Sequence, residues 1–231
     1  MVIHYLKNME KVSDMAAAVF AAEIINKPDL VVGLATGSSP IGLYAALAEM
    51  KLDFSRVRTV NLDEYAGIPA SSEHSYRHFM NENLFNKVGI PLANTHLPDG
   101  MAPDLTEACL RYDKAIDDLG GIDIQLLGIG FNGHIGFNEP SEAFSGNTTV
   151  VDLTQSTIEA NSRLFDRIED VPKQAITMGI RQIMMAKRIV LIAGAEKKDI
   201  VISSLFGPIT PKVPASALQL HRDVTVLVAL E

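Results

Sequence analysis

Leu30-Val31-Val32-Gly33-Leu34-Ala35-Thr36-Gly37-Ser38-Ser39-Pro40 is the stretch whose reading decides the fold. Leu30 to Leu34 is a short apolar run that stops at small polar residues, which reads as a buried strand. Pro40 to Lys51 reads as a helix, with Ser39 as its N-cap and Pro40 at its first position. A strand that turns directly into a helix is the start of a β-α-β unit.

The same alternation continues on both sides. Glu10 to Asn26 reads as a helix stopped by Lys27-Pro28. Val57 to Leu62 is a second strand, Tyr76 to Lys87 and Asp104 to Leu119 are helices, and Ile122 to Ile129 is a central strand. Arg188 to Ala193 and Val224 to Leu230 are further strands, and Gln174 to Met178 is an ambiguous sixth. The expected fold is α/β: a three-layer sandwich with an open, mostly parallel Rossmann-like sheet and helices on both faces. One domain over residues 1–231 is expected, with no internal repeat or low-complexity linker. Ala66 to Ser75 and Pro140 to Thr149 read as loops. The second reads either as a lid or as a solvated connection.

The bulk composition narrows the function. At 47% hydrophobic, the 231 residues can bury a substantial core. The 20 basic and 28 acidic residues give a net charge of -8, which argues against nucleic-acid binding. An anionic substrate remains open, because a phosphate is held by a few local donors. Cys109 is the sole cysteine, so a reducing cytoplasm is the simplest compartment. The N-terminus shows no secretory pattern, and the longest apolar run, Met15 to Ala22, is far too short to span a bilayer. No membrane partner is expected.

Ligands of open parallel sheets bind beyond the carboxyl ends of the strands, and four of the predicted strands end in chemistry. After the first, Gly37 allows a sharp turn and the amides of Ser38 and Ser39 face a helix N-terminus, an anion site. An ordinary capped strand-to-helix turn would have the same sequence. After the second comes Asn61-Leu62-Asp63-Glu64-Tyr65. On an extended chain the adjacent carboxylates point apart, so only one of Asp63 and Glu64 faces a given site. That one is either a base or a turn-forming Asp.

After the central strand comes Gly130-Phe131-Asn132-Gly133-His134-Ile135-Gly136-Phe137-Asn138-Glu139-Pro140. Three glycines in seven residues exclude a regular helix, so His134 and Glu139 share a tight loop and are within reach of each other, either as an acid/base set or around a merely structural histidine. The loop lacks the His-x-x-x-His spacing of zinc proteases and has no Cys partner, so no metal is expected. After Arg188 to Ala193, Gly194-Ala195-Glu196-Lys197-Lys198 repeats the strand–glycine–helix arrangement, with Lys197 within reach of the same anion. Arg163 is another basic candidate. A solvated surface position is the plain alternative for both.

These segments resemble the glucosamine-6-phosphate deaminase family. The likeness rests on Leu34 to Pro40, on Asn61 to Tyr65 and above all on Gly133 to Pro140. Ser75-Tyr76, Ala160 to Arg163 and Ser216 to His221 support it in the same order along the chain. The resemblance implies isomerisation and deamination of glucosamine 6-phosphate to fructose 6-phosphate and ammonia, without a cofactor. It implies that His134 opens the sugar ring, held by Glu139 and Asn132, and that Asp63 takes the proton from C2. It places the phosphate on the Gly37 to Ser39 amides with Arg163 and Lys197, and adds Thr36 and Gly130 to the substrate-binding set.

Two features depart from the longer family members. They carry Asp where this chain has Asn132, which hydrogen-bonds an imidazole but adds no charge. They also extend beyond the counterpart of Glu231 and form hexamers controlled by N-acetylglucosamine 6-phosphate, so a monomer is expected here. Two rival readings remain. A 6-phosphogluconolactonase would need neither Asp63 nor the Asn138-Glu139 end of the motif. A sugar-phosphate sensor of a transcription regulator would be expected to carry a helix-turn-helix, for which residues before 30 leave no room.

Overall fold

The computed structural model describes residues 1–162, 165 and 167–231. Its main sheet has seven strands in the order β1-β10-β9-β6-β2-β3-β5. These are β1 (Val2–Leu6), β2 (Val31–Leu34), β3 (Arg58–Asn61), β5 (Thr95–His96), β6 (Ile124–Leu127), β9 (Arg188–Ala193) and β10 (Val224–Ala229). Every pairing in it is parallel. A smaller antiparallel sheet joins β4 (Asp63–Tyr65), β8 (Gln174–Thr177) and β7 (Thr149–Asp152).

The helices are α1 (Met9–Asn26), α2 (Ile41–Glu49), α3 (Tyr76–Met80), α4 (Asn86–Val88), α5 (Leu105–Asp118), α6 (Gln155–Ser162), α7 (Ile180–Met184) and α8 (Lys198–Phe206). A π turn at Asn81–Phe85 joins α3 to α4, so the predicted Tyr76 to Lys87 helix is one rod with a bulge. The crossovers through α1, α2 and α3 all step towards the β5 edge, and α1 packs on α2. Those after β5 step back towards β1. Right-handed crossovers therefore put the two groups on opposite faces. Strands covered on both sides need no polar face, and β2, β6 and β10 are buried at every position.

The structure corrects four readings. Ser39 does not cap α2: Pro40 occupies that position, and no side chain bonds the first amides. The ambiguous strand Gln174 to Met178 is real but belongs to the small sheet. The second strand ends at Asn61, bends at Leu62 and re-enters the small sheet at Asp63. Finally, β1 and β5 join the edges of a main sheet that is wholly parallel. They lacked a signal because β1 is half exposed and β5 spans two residues.

At the amino edge, Asp123 ties three strands together. Its carboxylate accepts from Lys27 Nζ (2.6 Å) and the Val31 amide (2.8 Å) on one oxygen and from Lys187 Nζ (2.6 Å) on the other. Burial pushes this carboxyl up, but the bonds from Lys187, Lys27 and Val31 prevail and hold it below the usual range. Asp123→Asn is expected to cost about 1–3 kcal/mol at neutral pH. Because the native state holds the charged form, that stability is present above the unfolded pKa of about 4 and is lost as pH falls through the lower native value. Urea unfolding at pH 7 and pH 3 should show the gap between wild type and variant closing at the lower pH.

Candidate active site

β2 and β6 are neighbours, but their crossovers leave on opposite faces, so the loops that follow them diverge. The crevice between them is the topological switch point. Four predicted segments stand around it: the loop after β2, the turn after β3, the loop after β6 and, one strand further, the turn after β9.

Gly37 has φ +96°, with nothing near a Cβ at that position. The left-handed backbone is what requires glycine there. Ser38 is exposed and Ser39 half-buried. The Thr36 hydroxyl meets Tyr76, the first residue of α3.

Asp63 and Glu64 part as alternation predicts. Glu64 accepts from the amides of Tyr76 and Arg77 (both 2.9 Å) and of Tyr65 (2.9 Å), satisfying the exposed N-terminus of α3. Its role is structural. Asp63 lies opposite Thr177 in the small sheet and is buried. Burial and then the Glu64 charge push its carboxyl up to about 8. Its field reaches the buried hydroxyls of Tyr44, Tyr76 and Tyr112.

The His134 loop is locked from within. Asn132 Nδ2 donates to Glu139 Oε2 (2.6 Å), which turns its Oδ1 towards the histidine. That oxygen accepts from the His134 amide (3.1 Å) and lies 2.8 Å from Nδ1, with Glu139 Oε1 3.3 Å from the same nitrogen. Two acceptors at Nδ1 keep the neutral ring's hydrogen there, so Nε2 is the basic nitrogen. Gly130 makes room for the ring: a Cβ there would lie 2.1–2.4 Å from three imidazole atoms.

Contacts from Asn138 and Thr177 anchor the loop to Asp63. Asn138 Nδ2 donates to the carbonyls of Ile135 (2.8 Å) and Met178 (2.9 Å), and the Phe137 amide donates to Thr177 Oγ1 (3.1 Å). A Cβ on Gly136 would lie 3.5 Å from Asp63 Oδ2. Thr177 thus links Asp63, its partner across the small sheet, to the His134 loop. Phe137, Tyr65 and Tyr76 form an aromatic wall beside them, with ring centroids 4.7–6.1 Å apart.

Lys197 lies just beyond β9, half-buried, with Nζ 2.9 Å from the centroid of the Phe131 ring. Burial lowers its pKa against the opposing pull of Glu196. Arg163 lies outside the described residues. The 140–149 segment is tied down by Ser145, whose hydroxyl donates to Asn138 and accepts from the Ile180 amide (2.8 Å), and by the Ser141 amide on Pro211 (3.0 Å). A cleft of about 310 Å³ opens beyond Glu139, between this segment and Pro211. Neither Asp63 nor His134 lines it.

Sequence reading assigned no role to Tyr76, Asn138 or Thr177. Asn138 was legible within its motif, but its partners at 178 and 135 were not. Among the described residues no three His, Cys, Asp or Glu side chains converge as a metal site requires, and no helix is long and apolar enough to cross a membrane.

A buried base, a tautomer-fixed histidine and an anion loop at a switch point define an α/β protein built for acid/base chemistry on a small phosphorylated molecule. The family model for glucosamine-6-phosphate isomerases/6-phosphogluconolactonase matches residues 7–227, and the chain belongs to that family. A glucosamine-6-phosphate deaminase of Lachnoclostridium phytofermentans is 55% identical over 224 residues, covering 95% of each chain. One from Clostridioides difficile is 52% identical over 96% of this chain and 91% of its own. The structure of a monomeric glucosamine-6-phosphate deaminase superposes with a TM-score of 0.95 at 46% identity, over 99% of this chain and 97% of its own. The 6-phosphogluconolactonase from Thermotoga maritima matches at 0.77 and 23% identity, over 99% and 98%, a likeness of fold alone.

The raised Asp63 pKa has a measurable cost. As pH rises from about 4, where an unfolded Asp ionises, to about 8, where the native one does, the unfolded state loses its proton first. Wild type should therefore lose stability relative to Asp63→Asn over that window, and the difference should level off above it. Urea unfolding at pH 5, 7 and 9 measures this; an Asp63→Asn advantage that does not grow with pH would contradict the burial argument.

Proposed function

We propose that this chain is a glucosamine-6-phosphate deaminase acting as a cytoplasmic monomer. It would convert D-glucosamine 6-phosphate and water to D-fructose 6-phosphate and ammonia. The observation that carries the reading is Asp63: a buried carboxylate with a pKa of about 8, linked through Thr177 to the loop that holds His134. A carboxylate at that value is a stronger base than an exposed one, and it is ionised in about a tenth of the molecules at pH 7 and about half at pH 8.

His134 opens the pyranose. Nε2 takes the proton of the C1 hydroxyl and hands it to the ring oxygen as the bond between C1 and that oxygen breaks, leaving the open-chain aldehyde. The Glu139 carboxylate stabilises the charged ring through Nδ1, supplying the negative charge that Asn132 does not carry. Asp63 then removes the C2 proton to give an enolamine between C1 and C2. Protonation at C1 gives the C2 imine, water adds to C2, and ammonia leaves as the ketone forms. The phosphate is held by the Ser38 and Ser39 amides with Lys197, and Arg163 is assigned to the same group. These contacts lie far from C2 and fix the sugar so that the proton stays within reach of Asp63. Thr36 and Gly130 line the sugar's path; Gly130 does so by leaving the imidazole in place.

A lactonase would have no use for a base tied to the histidine loop, so the Asp63 link favours the deaminase. Ammonia release from glucosamine 6-phosphate, with a chelator present, is the direct test. Wild type is expected to be active and Asp63→Asn to lose at least about 10³-fold in kcat. Release only in the absence of chelator would overturn the metal-free mechanism. The base must be ionised in the free enzyme, so kcat/KM should climb with pH to a plateau above about 8. Gly130→Ala, which pushes the imidazole from its seat, should lower kcat about 10²-fold or more with the fold intact by circular dichroism.

A further inference from the structure

Phe131 is 71% exposed, in the loop that carries His134. A large aromatic ring left in water contributes little to the core, and its neighbours Gly130 and Asn132 already account for the seating of the imidazole. What the ring does touch is an ammonium: Lys197 Nζ stands 2.9 Å from its centroid. The sheet order gives this contact a direction. In the run β9-β6-β2, Lys197 follows β9, Phe131 follows β6 and the Gly37–Ser39 turn follows β2. Neighbouring strands are about 4.8 Å apart. The Lys197 ammonium therefore sits at the loop that follows β6, the strand next to β2.

We propose that Phe131 is a positioning residue for the substrate phosphate: its ring holds the Lys197 ammonium at the β6 loop, next to the anion loop. The inference rests on the phosphate site assigned above. An ammonium has three N–H donors, and one aromatic face occupies only one side of it, so the others stay available to phosphate oxygens. A flexible four-carbon side chain must be ordered to bind an anion. Ordering it beforehand on the ring removes part of that cost from the binding step. The contribution belongs to binding of the phosphate, before any bond to carbon changes, so it should appear in KM and leave kcat alone.

The test titrates inorganic phosphate by calorimetry into wild type, Phe131→Leu, Phe131→Tyr, Lys197→Met and the Phe131→Leu/Lys197→Met pair. Phosphate binding does not depend on the deaminase reaction. Phe131→Leu is expected to weaken phosphate about 3- to 10-fold, as loss of a partly desolvated cation–π contact would. Phe131→Tyr, which keeps the ring face, should bind like wild type. Lys197→Met should weaken binding further, and the double variant should be no worse than Lys197→Met. With glucosamine 6-phosphate, the KM of Phe131→Leu should rise by the same factor at unchanged kcat. The proposal is overturned if the Phe131→Leu and Lys197→Met losses add, if Phe131→Leu binds phosphate like wild type, or if its defect falls on kcat. Wild type that binds phosphate with this pattern but releases no ammonia would leave the inference standing and remove the deaminase reading. Wild type that releases ammonia with phosphate binding indifferent to Phe131 would do the reverse.

Discussion

Parallel pairing of β2 with both β3 and β6 is the constraint on which the rest of this molecule depends. Parallel neighbours cannot be joined by a tight turn, so each strand is left at one edge and re-entered at the other through a crossover. All the carboxyl ends therefore collect on one edge, and Thr36, Asp63, Gly130 and Lys197 meet there although they lie far apart in the chain. The two edges have separate tasks. At the amino edge Asp123 is held charged by two lysines and an amide, an arrangement that stabilises. At the carboxyl edge Asp63 is stripped of water beside the like charge of Glu64, which costs stability and raises its basicity.

The neighbouring carboxylate shows how environment divides roles. Burial raises the pKa of Glu64 as well, but three backbone amides and the Arg77 charge work against it. Two of these bonds come from the start of α3, so a side chain from the middle of β4 also helps to begin a helix. Glu64 is thereby unavailable to the site, and its charge is the second reason the Asp63 carboxyl is raised. Glu64 faces the helix start and Asp63 the interior because a strand turns successive side chains to opposite sides.

The histidine loop is rigid for a different reason. It has no regular ladder of its own, so short backbone turns and side-chain hydrogen bonds together hold it. Asn132 links the Glu139 carboxylate to Nδ1, and Asn138 stitches the loop to the end of β8. A fixed tautomer follows from this orientation of the amide, and a fixed position from the small sheet, whose β8 also pairs with Asp63. The small sheet is thus the part that ties Asp63 to the loop bearing His134.

By itself the sequence determined the alternation of strands and helices, the central strand, and the loops bearing Gly37, Asp63 and His134. These are local signals: continuous apolar runs for strands buried on both faces, and glycines where the chain turns or is approached closely. The parting of Asp63 from Glu64 was legible as well, because alternation is a property of neighbouring residues. Only the tertiary structure decided that Gln174 to Thr177 leaves the main sheet, that β1 closes one edge, and that Ser39 is no cap. It also decided that Glu139 reaches the imidazole through Asn132, that Lys197 rests on Phe131, and that Asp63 loses its water. Each of these depends on residues brought together across the sheet from distant positions, and burial, which sets the chemistry of Asp63, belongs to the assembled neighbourhood and not to any segment of chain.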